Sequence, residues 1–297
     1  MLTLKAFGDE SADGSKRRAF AVAAVLGTED EWSPAIREWL RRTRGLPFHA
    51  NRCESEYAND PDPQKHKDNL KLYEDLTQIL ARSHLVGFAV ALNLETYHDV
   101  FEDAHPDWAY FKALADLVRT AASTARRHNS SSVGLEVRLD FTFDSRIESD
   151  GTAGIMYQTL TRQPEFAGVL DTDIRFESGS GKSPRLEMGD LLARESMKEL
   201  DRRITQARPN VRGARRALED SGKFVFIEHD RDYWEELKVA AETSLHLRDE
   251  WDEWLIHRGR VQDGRPARTL ANWFLFNAWM DAKDGQSSAL IQDELVP

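Results

Sequence analysis

The stretch Ala6-Phe7-Gly8-Asp9-Glu10-Ser11 puts two adjacent carboxylates at the end of an apolar segment. Other acids stand at comparable places. Asp144 closes a run of alternating apolar residues, and Asp190 lies within Leu186-Glu187-Met188-Gly189-Asp190-Leu191-Leu192-Ala193. A carboxylate beside a core is costly unless it is paired, protonated or bound to a cation. Mg²⁺ and Mn²⁺ take such oxygen ligands and keep several waters. Two of these ions about 4 Å apart activate a water and stabilise the leaving oxygen in phosphodiester cleavage. Acids drawn from two strand ends and one helix could hold them. Two plainer readings stay open. Asp9 and Glu10 would simply sit at an exposed strand end, or Asp190 would pair with Arg194, its neighbour along the helix face. Adjacent strand residues also point to opposite faces, so Asp9 and Glu10 need twist or a bulge to share one ion.

The elements that must position these acids are legible as patterns. Leu2, Leu4 and Ala6 alternate with Thr3, Lys5 and Phe7, which predicts a strand running into Asp9. A turn at residues 11–15 leads to the apolar run 19–26, a buried strand, so the chain opens with a hairpin. Residues 29–44 read as a helix with Thr28 as N-cap, Pro34 in its first turn and Trp32, Ile36, Trp39 and Leu40 as its apolar stripe. A short connector, Leu46-Pro47-Phe48-His49-Ala50, follows. Residues 64–83 form a second helix with Leu72, Leu76, Ile79 and Leu80 on one face, and 85–92 a central strand. Residues 106–128 are a third helix, and 133–143 a strand with Val133, Leu135, Val137, Leu139, Phe141 and Phe143 on one face. A short helix at 152–162, an edge strand at 173–177, a loop at 178–184 and a long helix at 185–206 come next. In that helix Leu186, Gly189, Ala193 and Met197 have core spacing, and Gly189 implies close packing on the sheet. Residues 208–222 are basic and read as a break; 224–227 could add a strand, and the rest reads as Trp-rich helices. A hairpin followed by strands alternating with helices is a mixed α/β sheet with helices on its faces.

The chain has 297 residues and 40% hydrophobic content, enough for one large domain or a domain with an appendage. A net charge of −11 argues against coating nucleic acid by overall charge, though not against a local basic groove. No run is long enough for a membrane span, and acids come too early for a secretory signal. The single cysteine, Cys53, excludes an internal disulfide and suits a reducing cytoplasm.

Other signals in the sequence are weaker. Gly179-Ser180-Gly181-Lys182-Ser183 is like the end of a phosphate-binding loop, but Phe176 stands where that pattern needs Gly. His49 and Cys53 alone do not make a zinc site. His49 would orient water or bind phosphate near the acids, or be a hydrogen-bonded structural histidine. Arg202, Arg203, Arg208, Arg212, Arg215 and Arg216 follow the acid-bearing helix directly, and Arg203, Arg208, Arg212, Arg215 and Arg216 are the candidate contacts to a phosphate backbone. Trp234, Trp251, Trp254, Trp273 and Trp279 crowd the C-terminal part as core or as a protein–protein surface.

Hairpin first, acid on strand one, acid on strand four and acid on a late helix is an order that resembles the RNase H-like superfamily. More specifically, Gly8-Asp9-Glu10-Ser11 at a strand end and the helix segment 187–193 resemble the bacterial domain-of-unknown-function family 3800. Glu187 stands where that family usually has Gln, and Gly189 where it has Ala. The Glu adds a ligand or a second acid that must be neutralised. The resemblance covers residues 3–205. It implies an RNase H-like mixed sheet of about five strands, residues 1–207, with a helical C-terminal extension, 208–297, packed on it. It also implies a divalent-metal-dependent nuclease using Mg²⁺ or Mn²⁺ on DNA or RNA. Asp9, Glu10, Asp144 and Asp190 would be its catalytic acids, with Asp9, Asp144, Asp190 and Glu187 as metal ligands and His49 as an accessory. The alternative is a non-catalytic nucleic-acid-binding or complex-forming subunit that keeps the fold.

Overall fold

A computed structural model describes residues 1–266 except 16, 60, 102–106, 132–135, 146–149, 164–165, 178–182, 207–208, 244–247, 260 and 263–264. The expected hairpin is β1 (Leu2–Ala12) with β2 (Ala19–Gly27), paired antiparallel. Asp13 ties its closed end: Oδ1 accepts the N–H groups of Arg17, Arg18 and Ala19 at 2.9, 2.9 and 3.2 Å. Burial raises the Asp13 pKa, but the Ser15 hydroxyl and these N–H groups outweigh it and hold the carboxyl far below its usual range.

After β2 come α1 (Glu29–Thr43), α2 (Ala50–Asn59), α3 (Pro63–Arg82) and β3 (Val86–Asn93). They are followed by α4 (Leu94–Val100), α5 (Asp107–Ser131), β4 (Val137–Asp144) and α6 (Asp150–Thr161). The chain continues through β5 (Arg175–Glu177), α7 (Pro184–Thr205), α8 (Gly213–Asp220), β6 (Phe224–His229), α9 (Arg231–Thr243) and α10 (Arg248–His257). A separate small pair joins Val261–Gln262 to Arg265–Pro266.

The sheet has six strands in the order β5-β4-β1-β2-β3-β6. β2 is antiparallel to both neighbours, and the β1–β4, β4–β5 and β3–β6 pairs are parallel. Five strands therefore run one way, and their C-terminal ends meet along a single sheet edge. Helices cover both faces. Ala6, Val22 and Phe143 pack with α4, α5, α6 and α9; Phe7, Ala23 and Val25 pack with α1, α2, α3, α7 and α8. The α/β class read from the sequence holds.

Several details differ from expectation. α1 buries Trp32, Ala35, Trp39 and Thr43, while Leu40 is 41% exposed. The two tryptophans set that face, because each indole N–H reaches inward: Trp32 Nε1 to the Lys5 carbonyl at 3.0 Å and Trp39 Nε1 to Glu187 at 2.6 Å. Thr28 does cap α1, in a capping box with Glu31, but Pro34 lies in the second turn of the helix. The segment 213–220, read as a break, is the helix α8, whose Leu218 is buried. The short helices α2 and α4 were not foreseen. β6 is a full member of the sheet, paired with β3, so the boundary expected at 207/208 cuts the sheet rather than separating a helical extension from it. Val133, Leu135, Trp273, Trp279 and the segment 179–182 lie outside the described residues, while Ser183 caps α7.

Candidate active site

The three aspartates reach one region by three routes. The β1–β2 register is unbroken from Lys5–Gly27 to Ala12–Phe20, so β1 alternates without a bulge. Phe7 packs toward α7 and Ala6 toward α5. By that alternation Asp9 faces α7 and Glu10 the opposite side. No bulge in β1 therefore turns Glu10 onto the face of Asp9. Asp9 is buried, and its Oδ1 accepts the Glu10 N–H at 2.8 Å.

Asp144 arrives through sheet register. In the parallel β1–β4 pair Gly8 stands opposite Phe143, whose ring lies on the α5 face. The pairing ends there, and by strand alternation the next residue of each strand, Asp9 and Asp144, is directed to the α7 face. β5 extends the row, because Asp144 stands opposite Glu177. Glu177 was not singled out in the sequence. The signal was there, since it closes its strand as Asp144 closes β4, whereas β1 runs on past Asp9 to Ala12 instead of turning at Ser11 as the sequence suggested.

Asp190 arrives through packing. α7 crosses β1, β2 and β3, and all of its residues from 186 to 197 are buried. It is seated at Gly189: a Cβ there would lie 3.0 Å from the Phe7 carbonyl oxygen, 3.2 Å from Gly8 Cα and 3.3 Å from Asp9 N. Asp190 is thus one helix residue from the point where α7 touches the Gly8–Asp9 backbone. Its Oδ2 accepts the Ala50 N–H at 3.0 Å, and His49 Nδ1 lies 3.6 Å away. Arg194 does not pair with it; its Nε donates to Glu54 at 2.7 Å.

Glu187 is engaged differently. It is 3% exposed, with Oε2 accepting Trp39 Nε1–H at 2.6 Å and Oε1 accepting the Phe48 N–H at 3.0 Å. Burial pushes its pKa up; the Phe48 and Trp39 bonds oppose this without cancelling it. Both carboxylate oxygens are turned to the connector and α1. Cys53 donates to the Asn69 carbonyl, and burial pushes its thiol up to about 12, so it offers no thiolate.

The donor set of Asp9, Asp144 and Asp190 is all carboxylate oxygen, which suits Mg²⁺ or Mn²⁺. Among the described residues no three His, Cys, Asp or Glu side chains come close enough to hold a metal. Their chemistry fits a divalent cation; their positions in this structure do not close around one.

The basic segment is mostly consumed in ion pairs. Arg212 donates to Glu54 Oε1 at 2.6 Å and to Glu195 at 2.9 and 3.1 Å, over the Tyr73 ring. The Tyr73 hydroxyl donates to the same Glu195 at 2.6 Å. Arg215 is 2% exposed, donates to Glu219 at 2.7 Å and lies 3.3 Å from the Phe226 ring centroid. Arg212 is the buried counter-charge that Glu54 and Glu195 require, and Arg215 is buried against Glu219 and the Phe226 ring, so neither side chain is presented to a phosphate backbone. Arg203 bonds Glu199 and Glu228 while staying half exposed. Arg216 is exposed, and Arg208 lies outside the described residues.

No protein-family model and no curated protein matches this chain. The likeness to family 3800 therefore rests on its two short motifs. Among solved structures, the complex of PCNA with RNase HII from Archaeoglobus fulgidus is similar at 14% identity. The match covers 89% of this chain and 92% of that one, with a TM-score of 0.40. A likeness that loose assigns no function. Among the described residues no helix is long and apolar enough to cross a membrane.

Proposed function

We propose that this chain is a divalent-metal-dependent nuclease that cleaves phosphodiester bonds in DNA or RNA, with Asp9, Asp144 and Asp190 as its metal-holding acids. One observation supports the reading: Gly189 seats α7 on the Gly8–Asp9 backbone one residue before Asp190, and the parallel β1–β4 register runs to Gly8–Phe143, one residue short of Asp9 and of Asp144. Mg²⁺ or Mn²⁺ held there would supply Lewis-acid stabilisation of the scissile phosphate by a two-metal mechanism. The protein's own part is to hold the acids at one sheet edge and to keep half-exposed His49 against Asp190. Exposed Arg216 and half-exposed Arg203 are the basic residues left to meet a phosphate backbone. The lone cysteine suits a cytoplasmic setting.

A second reading is a nucleic-acid-binding or complex-forming subunit without catalysis. It fits the finding that, among the described residues, no three His, Cys, Asp or Glu side chains are grouped to hold a metal. Calorimetric titration with Mn²⁺, joined to cleavage assays on single- and double-stranded DNA and RNA, separates the two. The nuclease reading expects Mn²⁺ binding that Asp190→Asn weakens, and cleavage that the same substitution abolishes. Absence of Mn²⁺ binding in the unaltered protein would leave the second reading in place.

A further inference from the structure

Glu187 and Asp190 hold the same connector at two points. Three residues apart on α7, their Cβ atoms stand about 5–6 Å from each other. Glu187 Oε1 accepts the Phe48 N–H and Asp190 Oδ2 the N–H of Ala50, the first residue of α2, each at 3.0 Å. Between them His49 projects outward, 48% exposed, with Nδ1 near the same Asp190 oxygen. The second Glu187 oxygen is fixed by Trp39 of α1, and the Trp39 and Phe48 rings meet edge to face at 5.5 Å.

We infer that Glu187 is a positioning residue: it clamps the connector so that Ala50 and His49 meet Asp190 in one orientation, and it is not a ligand to the metal. The inference builds on the nuclease reading for the importance of Asp190, but its geometry stands without a metal. A carboxylate ligand holds a cation much more weakly once it is made a neutral amide, whereas a clamp needs only an acceptor aimed at the Phe48 N–H. Glu187→Gln keeps one acceptor but turns an amide toward the Trp39 indole N–H. Pairing it with Trp39→Phe removes that opposed donor and leaves a neutral clamp.

The test is amide hydrogen exchange at Phe48 and Ala50 in the metal-free protein, followed by Mn²⁺ calorimetry on the same variants. Glu187→Ala should speed exchange at both amides about fivefold to tenfold, the loss expected of one buried hydrogen bond. The double variant Glu187→Gln with Trp39→Phe should return both amides to the unaltered rate. It should also keep the Mn²⁺ stoichiometry, with affinity changed by less than about threefold. If Glu187→Ala does not fold, the double variant against Glu187→Gln alone gives the same comparison. Unchanged Ala50 exchange when the clamp is removed would overturn the inference, as would loss of a bound Mn²⁺ in the neutral double variant. If the unaltered protein binds no Mn²⁺, the nuclease reading fails, while the exchange rates still judge the clamp.

Discussion

Phe143 occupies the place that a side chain on Gly8 would take: a Cβ at Gly8 would fall 2.3 Å from the Phe143 ring and 2.6 Å from the Ala23 carbonyl oxygen. Glycine precedes Asp9 because β4 lays an aromatic ring across β1 on the face opposite the acids. Gly8→Ala must displace both a core ring and the β2 backbone. We expect a loss of about 2–3 kcal/mol in urea-unfolding stability. Gly189→Ala meets backbone at 3.0–3.3 Å but gains helix propensity of about 1 kcal/mol. It should be the milder change of the two, and a reversed order would show that the α7–β1 contact, not the β1–β4 contact, is the tighter one.

Arg212 is the counter-charge of buried Glu54 and Glu195. Arg212→Gln leaves those carboxylates without it and should cost about 3–5 kcal/mol in denaturant titration. Arg216→Ala, at an exposed position, should change stability by less than about 0.5 kcal/mol. Equal small effects from both would return Arg212 to the surface.

On the far face, Asp116 is a hub. Lys112 donates to it, His229 Nε2 lies 2.8 Å from Oδ2, and the Tyr233 hydroxyl donates at 2.8 Å. Burial pushes the Asp116 carboxyl up, but the His229 bond and Lys112 outweigh it and hold it at about 2. A carboxyl depressed in the folded state adds stability that is complete above its ordinary pKa near 3.8 and is lost as pH falls through the folded value. The contribution is about 2 kcal/mol. Stability measured from pH 5 to pH 2 should therefore show a fall that Asp116→Asn lacks. The variant should be less stable at pH 5, with Lys112 buried beside a neutral amide, and the gap should narrow with acid. A constant gap would mean that Asp116 is not ionised in the fold.

Asp190→Asn keeps an oxygen for the Ala50 N–H, so the metal-free variant should stay within about 1 kcal/mol of the unaltered protein. The rise in Tm on adding Mn²⁺ should shrink, because ligand binding to the native state is what raises it. Asp13→Asn should behave in the opposite way. It loses the carboxylate that gathers the hairpin N–H groups, lowering Tm, yet it should retain the Mn²⁺ effect. Thermal melts of both variants with and without Mn²⁺ check this; an undiminished rise in Asp190→Asn would remove Asp190 from the metal site.

Much of the architecture was readable residue by residue, because strand alternation, helix periodicity and capping depend on near neighbours in the chain. The opening hairpin, the apolar β3, the ending of β4 at Asp144 and the N-cap at Thr28 follow from that local physics. So does the prominence of Asp144, which closes a patterned strand, and of Asp9, which follows an alternating run although β1 continues past it to Ala12. The sequence by itself could not pair charges. Six arginines between 202 and 216 look the same on paper whether they face solvent or buried carboxylates. Only the fold brings Arg212 to Glu54 across a separation of 158 residues, and Glu187 to Phe48 across 139. The same holds for α1, whose buried face turned toward Ala35 and Thr43 because Trp39 had a partner on α7. Apolar pattern acts through burial, which any core satisfies; a buried charge or N–H needs one particular partner, and tertiary structure alone decides which residue that is.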